Sequence, residues 1–362
     1  MEMFDRMPSM TQLSKVEASA PQLTTRRFMR TSNKTKLVRI AQFGHVLAYL
    51  PLYIALKKRY FKEYKMNVTI VNRFGDHTTW QSVCSEEAEF GVADPLLMVG
   101  DSEIKGVAIA SLVQRVPMHL LTRRPDIIYT KPTDFAGKTI CVYQRPSTSY
   151  ALIRKLADQC VAEGKAPPII RGIEFTTELG YLSHADVDAV LMVEPAASMA
   201  EINGAYRVFD GSKYFGEMLV TGLFGRLDYI EKNPDVSQSL VNGLQKALNL
   251  IQSDRAQAVA IARKEFPEVN ALSIELGVLR LIAEKSFPRR TVVSENAWYA
   301  LSQLRGQSAS VPLFRDFVNN RFANSASEAK LEISAVLSLN PNLYGIGFDL
   351  PALLQWFRSK LP

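Results

Sequence analysis

Short apolar runs alternate with amphipathic stretches along most of the chain. Leu37 to Ala41 reads as a first strand, with Phe43-Gly44-His45 as its exit loop. From Val46 to Tyr60, Leu47, Leu50, Ile54 and Ala55 recur at helical spacing. Pro51 is tolerated in the first turn, and Lys57, Lys58 and Arg59 suit the helix end, where cations complement the dipole. Val68 to Val71 is a second strand, closed by Gly75-Asp76-His77-Thr78, and Thr79 to Glu87 a helix carrying Trp80 and Val83. Glu86-Glu87-Ala88-Glu89 leads into a third strand, Phe90 to Ala93, that stops at Asp94-Pro95. Proline lacks an amide hydrogen and restricts the residue before it, so this strand cannot run on. Val107 to Leu112 is a further apolar run. The order β-α-β-α-β predicts a parallel sheet.

A chain crossing is expected near Thr122 to Asp134, followed by a strand from Thr139 to Tyr143. Ser147, Thr148, Ser149 and Tyr150 then precede a helix with Leu152, Ile153 and Leu156 on one face. The hydroxyls serve as caps, and the amides at that end can take an anion or a polar ligand group; ordinary capping accounts for them equally well. Ile169 to Phe175 is a strand with Thr176-Thr177-Glu178 at its end. Val187 to Val193 is another, and its ending, Glu194-Pro195, repeats the Asp94-Pro95 arrangement. Tyr206 to Asp210 completes this second unit, and Leu219 to Phe224 returns to the first. In open α/β sheets ligands sit just past the carboxyl ends of strands, so both acids stand where a ligand would be.

Helices dominate thereafter. Val236, Leu240, Leu244, Leu248 and Ile251 form one apolar stripe; Asp254 to Phe266, Asn270 to Ser286 and a Ser294-capped segment follow. Gly306 to Ser310 reads as a linker. Beyond it, Leu331 to Leu339 and Ile346 to Leu350 alternate around Asn340-Pro341-Asn342, and Pro351 opens a short amphipathic helix. Such a hairpin plus helix is too small to stand alone and must dock, on its own body or on a partner.

The chain has 362 residues, enough for two compact units, with 47% hydrophobic and 22% charged residues. A net charge of +7 without a basic stripe argues against nucleic acid. Three scattered cysteines and four unclustered histidines offer neither a zinc pattern nor a disulfide framework; no metal and no cofactor are expected. No Ser-His-Asp spacing or phosphate-binding glycine loop stands out. Residues 1–36 are polar and read as a loosely attached arm. Arg26-Arg27-Phe28-Met29 resembles a twin-arginine signal, yet Arg30 to Lys36 supply no apolar segment, so no export signal and a cytoplasmic location are expected, with an extracytoplasmic one if the start is misassigned. No membrane span is expected.

Five segments in this order resemble the type II periplasmic-binding-protein fold, in the flavour of the nitrate, sulfonate and taurine substrate-binding proteins of ABC importers and the related thiamine-pyrimidine synthesis proteins. They are Ala55 to Tyr64, Glu86 to Pro95, Phe135 to Ile140, Ala185 to Pro195 and Tyr229 to Pro234. The resemblance implies an α/β, two-lobe architecture: lobe I from 37–122 and 216–307, lobe II from 123–215, and a C-terminal β-hairpin-plus-helix extension over 308–362. It implies a non-enzymatic protein closing two lobes around a small molecule, as the binding component of an importer with an ABC permease as partner. The alternatives are a cytoplasmic sensor whose 308–362 segment docks a protein, and a pyrimidine-forming enzyme, which would use a cysteine-rich iron segment absent here. Carried over by position, the ligand-binding residues are Phe43, Gly44, His45, Asp76, His77, Thr78, Asp94, Ser147, Thr148, Ser149, Glu178 and Glu194, with Trp80 and Tyr150 as stacking rings. So many carboxylates suit a ligand with hydrogen-bond donors better than a bare anion.

Overall fold

Four strands open the described chain: β1 (Lys36–Gln42), β2 (Met66–Asn72), β3 (Phe90–Ala93) and β4 (Gly106–Arg115). Five more follow: β5 (Met118–Thr122), β6 (Thr139–Tyr143), β7 (Ile169–Ile173), β8 (Ala189–Val193) and β9 (Tyr206–Asp210). The chain then returns in β10 (Glu217–Arg226). The computed structural model describes residues 35–100, 103–305 and 311–326. All of them belong to one of the two units into which the chain divides, Thr35–Pro362; Met1–Lys34 lies outside the described residues.

Two separate sheets result, in the orders β2-β1-β3-β10-β4 and β7-β6-β8-β5-β9. In the first, β1 pairs parallel with β2 and β3, while β10 runs antiparallel to β3 and β4. In the second, β6 pairs parallel with β7 and β8, while β5 runs antiparallel to β8 and β9. Each sheet therefore reverses its strand order beside a central strand, β1 in one and β6 in the other. That reversal opens a crevice past the strands' carboxyl ends. All four residues of β3 and all five of β8 are buried, as expected of strands covered on both faces.

Helices α1 (Leu50–Lys57) and α2 (Asp76–Cys84) belong to the first sheet; α3 (Thr148–Ala162), α4 (Glu178–Tyr181) and α5 (Ala196–Ile202) belong to the second. Short α6 (Gly211–Phe215) carries the return crossing. Then come α7 (Leu227–Lys232), α8 (Pro234–Ser253), α9 (Arg255–Glu265), α10 (Ala271–Ala283) and α11 (Glu295–Ser302). The α8 stripe of Val236, Leu240, Leu244, Leu248 and Ile251 is buried against α1 and α9, each leucine stabilising by roughly 1.5–3 kcal/mol. Helix α10 packs on α9 and also touches α5, so it spans both sheets.

Three differences from the sequence reading, and one placement, matter. Lobe I was expected to reach residue 122, but β5 joins the second sheet; we place the division at Val116-Pro117, between β4 and β5. The arm was expected to include residue 36, yet Lys36 is the first residue of β1 and pairs with Met66. Helix α2 begins at Asp76 rather than Thr79. Finally, the start of the expected 308–362 extension packs on the first sheet. There α12 (Phe314–Phe317) precedes Val318, which bridges to Ala108, and the Asn319 amide donates to the Ala108 carbonyl at 2.9 Å. The expected hairpin and amphipathic helix lie outside the described residues.

Candidate functional site

The carboxyl ends of β1 and β6 face each other across the lobe boundary. Phe43, just past β1, meets Tyr143, the last residue of β6, at 5.8 Å between ring centroids, and Phe175, just past β7, at 5.0 Å. Tyr143 and Phe175 are themselves 5.6 Å apart, and Phe74 stands 6.4 Å from Phe175. Gly44 is buried beneath this cluster: a Cβ there would lie 2.7 Å from Phe175 Cε1, so only glycine admits the ring.

Two cavities open along this boundary. The inner one is small, about 40 Å³, and is lined by Tyr49, Asp76, Thr221, Met118, Tyr143, Ser147, Thr148 and Ser149 among others. That is room for a water rather than a solute. The outer one, about 500 Å³, has the size of a small-molecule site and carries Phe43, Phe74, Tyr143, Phe175, Gln144, Glu174 and Thr176. Both share Phe43, Asp76, Tyr143 and Ser147. Phe74 (φ 56°) and Thr176 (φ 79°) adopt left-handed backbone at the rim, a conformation costly for such residues and concentrated at functional sites.

Asp76 links the two sides. It accepts from the Asp94 amide at 3.3 Å and from the backbone amide of Thr148, in the first turn of α3. The N-terminus of α3 is thus met by an acid from the opposite lobe, where an anion would otherwise sit. Burial, with the Asp94 charge second, pushes Asp76 up to about 7. Tyr49 is likewise raised well above its ordinary value, by burial first and Asp76 second, and its phenol pairs with Thr221. Tyr143 rises for the same first reason, with Glu178 second.

The expected ligand residues divide into three groups. Phe43, Asp76, Ser147, Thr148 and Ser149 line the cavities. Ser147 caps α3, accepting from the Tyr150 amide at 3.2 Å, and Ser149 accepts from the Tyr143 amide at 3.1 Å. A second group ties the lobes together or supports the walls. Asp94 accepts the Thr148 hydroxyl at 2.6 Å, and it caps the turn after β3 through the Leu96 amide. Glu194 pairs with Arg280 of α10 and accepts from the Ser198 amide, while its carbonyl accepts from the Leu47 amide. Glu178 is buried close to Tyr143, and Gly44 lies beneath Phe175.

The third group lies away from these two cavities. His45 stacks on Phe266 at 4.0 Å and reaches Glu265 at 3.3 Å. His77 and Thr78 are exposed on the outer face of α2, where Thr78 bonds the Arg73 and Gly75 carbonyls. Trp80 is buried against Phe224. Tyr150 lies under the Arg145 guanidinium, 4.9 Å away. Loop position suggested His45, His77 and Thr78, and aromatic character suggested Trp80 and Tyr150; the structure turns these side chains elsewhere. Tyr49, Tyr143, Phe175 and Thr221 were not anticipated. Tyr143 and Phe175 carry the signal that singled out Asp94, a position at a strand's carboxyl end. Thr221, in the middle of β10, carries none.

A family model described as "NMT1/THI5 like" matches residues 47–258. The chain belongs to that family. Among curated relatives of this NMT1/THI5-like chain is one named "Putative binding protein YtlA" from Bacillus subtilis (strain 168), 23% identical and covering 81% of this chain and 90% of its own length. A solved protein from Bordetella bronchiseptica RB50 shares the fold with a TM-score of 0.68 and 19% identity, covering 82% of this chain and 98% of that one. The alkanesulfonate-binding protein SsuA from Xanthomonas axonopodis pv. citri, bound to MOPS, has a TM-score of 0.63 at 15% identity, over 80% and 100% of the chains. Together they establish the two-lobe periplasmic-binding-protein architecture for the NMT1/THI5-like chain. No helix among its described residues is long and apolar enough to cross a membrane.

Proposed function

We propose that this chain is a non-enzymatic small-molecule binding protein. Its two lobes close around the ligand at the Phe43–Tyr143–Phe175 crevice, and it serves as the substrate-binding component of an ABC-type importer, with the permease as its partner. The importer relatives favour the extracytoplasmic location over the cytoplasmic one expected from the N-terminal residues. One observation carries the ligand class: the described residues lining both cavities include aromatic rings, hydroxyls and the acids Asp76 and Glu174, but no Lys, Arg or His. A bare sulfonate or nitrate would meet like charge there, and the α3 N-terminus already faces Asp76. A flat heterocycle or an amine-bearing solute finds stacking walls and acceptors instead.

At about 40 Å³ the inner cavity is too small for a solute, so entry to it requires the lobes to separate, the hinged motion common to two-lobe traps. Titration calorimetry of the purified chain against amines, heterocycles, alkanesulfonates and nitrate tests the reading. Micromolar binding of a donor-bearing compound, recovered chemically unchanged, is expected. Tight binding of nitrate or a sulfonate alone would reject the ligand class, and conversion of the bound compound would reject the binding-protein role.

A further inference from the structure

Where the chain first crosses between the sheets, β5 brings a histidine into complete burial. His119 has no exposed surface, and neither ring nitrogen has a hydrogen-bond partner. A neutral imidazole holds one donor and one acceptor, and leaving both unmet in the interior is costly. Its neighbours are two carboxylates. Asp210, at the end of β9 and directly opposite His119 in the sheet, places Oδ1 4.0 Å from Nδ1. Glu284, just after α10, places Oε2 3.6 Å from Nε2, and that oxygen is also buried without a partner. These spacings exceed a hydrogen bond. A cation about 2.1 Å from each atom of the Nε2–Oε2 pair spans that gap at an ordinary coordination angle.

We propose that His119, through Nε2, and Glu284 hold a divalent transition-metal ion at the lobe crossing, with Asp210 beside the opposite ring nitrogen. One donor atom from each residue lies within 4.8 Å of the others. An imidazole with a carboxylate is the chemistry of Zn²⁺ or Mn²⁺ rather than of an all-oxygen Ca²⁺ cage. The charge around the cluster agrees. Arg207 pairs with Glu284 and Glu201, and Arg280 pairs with Glu194 and Glu201. Four carboxylates, those of Asp210, Glu284, Glu201 and Glu194, thus stand beside two guanidiniums and one imidazole, so acidic groups outnumber basic ones around the cluster. The Asp210 side chain is 30% exposed and supplies a path for entry. Because His119 and Asp210 stand on the second sheet and Glu284 follows α10, a bound ion ties the lobes beside their crossing.

The test uses tag-free full-length chain, treated with chelator and dialysed. Zn²⁺ and Mn²⁺ are added separately, and bound metal is measured by equilibrium dialysis with elemental analysis, alongside thermal unfolding. The expected result is about one equivalent of one of these ions per chain, a raised melting temperature, and at least a tenfold loss of affinity in both H119N and E284Q. E284Q keeps the shape of its side chain, so it remains informative if H119N folds poorly. Indifference of the chain to both ions, or variants that bind like the parent, overturns the site. No small-molecule ligand enters this experiment, so its outcome is independent of the solute-binding role.

Discussion

Thr148 donates its hydroxyl hydrogen to Asp94 at 2.6 Å, joining the first turn of α3 in one lobe to the tip of β3 in the other. Both side chains are buried. The strand-ending acid is therefore a latch between lobes, while Asp76, eighteen residues earlier, faces the cavity.

Thr148→Val keeps the shape and removes this donor. Asp94 retains the Leu96 amide but loses one bond to a charged acceptor, worth about 1.5–3 kcal/mol. Urea unfolding should register that loss, and small-angle scattering of the ligand-free variant should report a larger radius of gyration. Unchanged stability and unchanged scattering together would remove Asp94–Thr148 from the closure.

Asp76 gives the protein a pH dependence with a definite sign. Its folded pKa stands near 7 against an ordinary 3.8, because burial and then the Asp94 charge favour the neutral acid. Between these values the folded chain holds a proton that the unfolded chain has released. Stability contributed here is complete below about 4, declines as pH rises, and levels off above about 7. Asp76→Asn cannot titrate, so its stability relative to the parent should improve steadily across that window. Affinity for an amine-bearing ligand should rise through the same range in the parent and stay flat in the variant. Parallel stability–pH curves would show that Asp76 ionises normally.

The strands were legible because short apolar runs end in turn residues: Phe90 to Ala93, wholly buried and closed by Asp94-Pro95, Thr139 to Tyr143, and Tyr206 to Asp210, which is partly exposed, all match their residues. Strand β5 was not, since Met118 to Thr122 is short, contains a histidine, and follows β4 after only Val116-Pro117. The cavity was legible in part. Strand ends pointed to Phe43, Asp76 and Ser147 to Ser149, for chain position fixes where a strand stops. Which way a loop side chain turns depends on packing from distant elements: Phe266 claims His45, Phe224 claims Trp80, and Arg145 covers Tyr150. Likewise Thr221 reaches Tyr49 only because β10 returns between β3 and β4.

Arg280 holds the second latch. It pairs with Glu194, which is 1% exposed and raised above its ordinary pKa by burial despite the guanidinium beside it. Arg280→Met strands that carboxylate, and a buried charge left unpaired costs about 3–5 kcal/mol. Pairing the change with Glu194→Gln should return much of the loss, because the amide needs no counter-charge. Chemical denaturation of the single and double variants measures both; a double variant no more stable than Arg280→Met would mean that the pair is not the source of the cost.

Gly277 shows how tightly the lobes meet at α10. A Cβ at this position would lie 2.8 Å from Leu47 Cδ1 and 2.9 Å from Glu194 Oε2. The leucine terminus can swing aside, but the carboxylate is pinned by Arg280 and the Ser198 amide. Alanine also favours the helix over glycine by about 1 kcal/mol, which offsets part of the crowding. The residual strain falls on the lobe boundary, since Gly277 sits on α10 and Glu194 at the tip of β8. Gly277→Ala should therefore shift the population toward separated lobes and weaken ligand binding several-fold, while the unfolding free energy changes by no more than about 1 kcal/mol. Calorimetry beside urea denaturation separates the two effects. Equal loss in both would make Gly277 an ordinary packing position; undiminished affinity would mean that the boundary yields to a methyl group without opening.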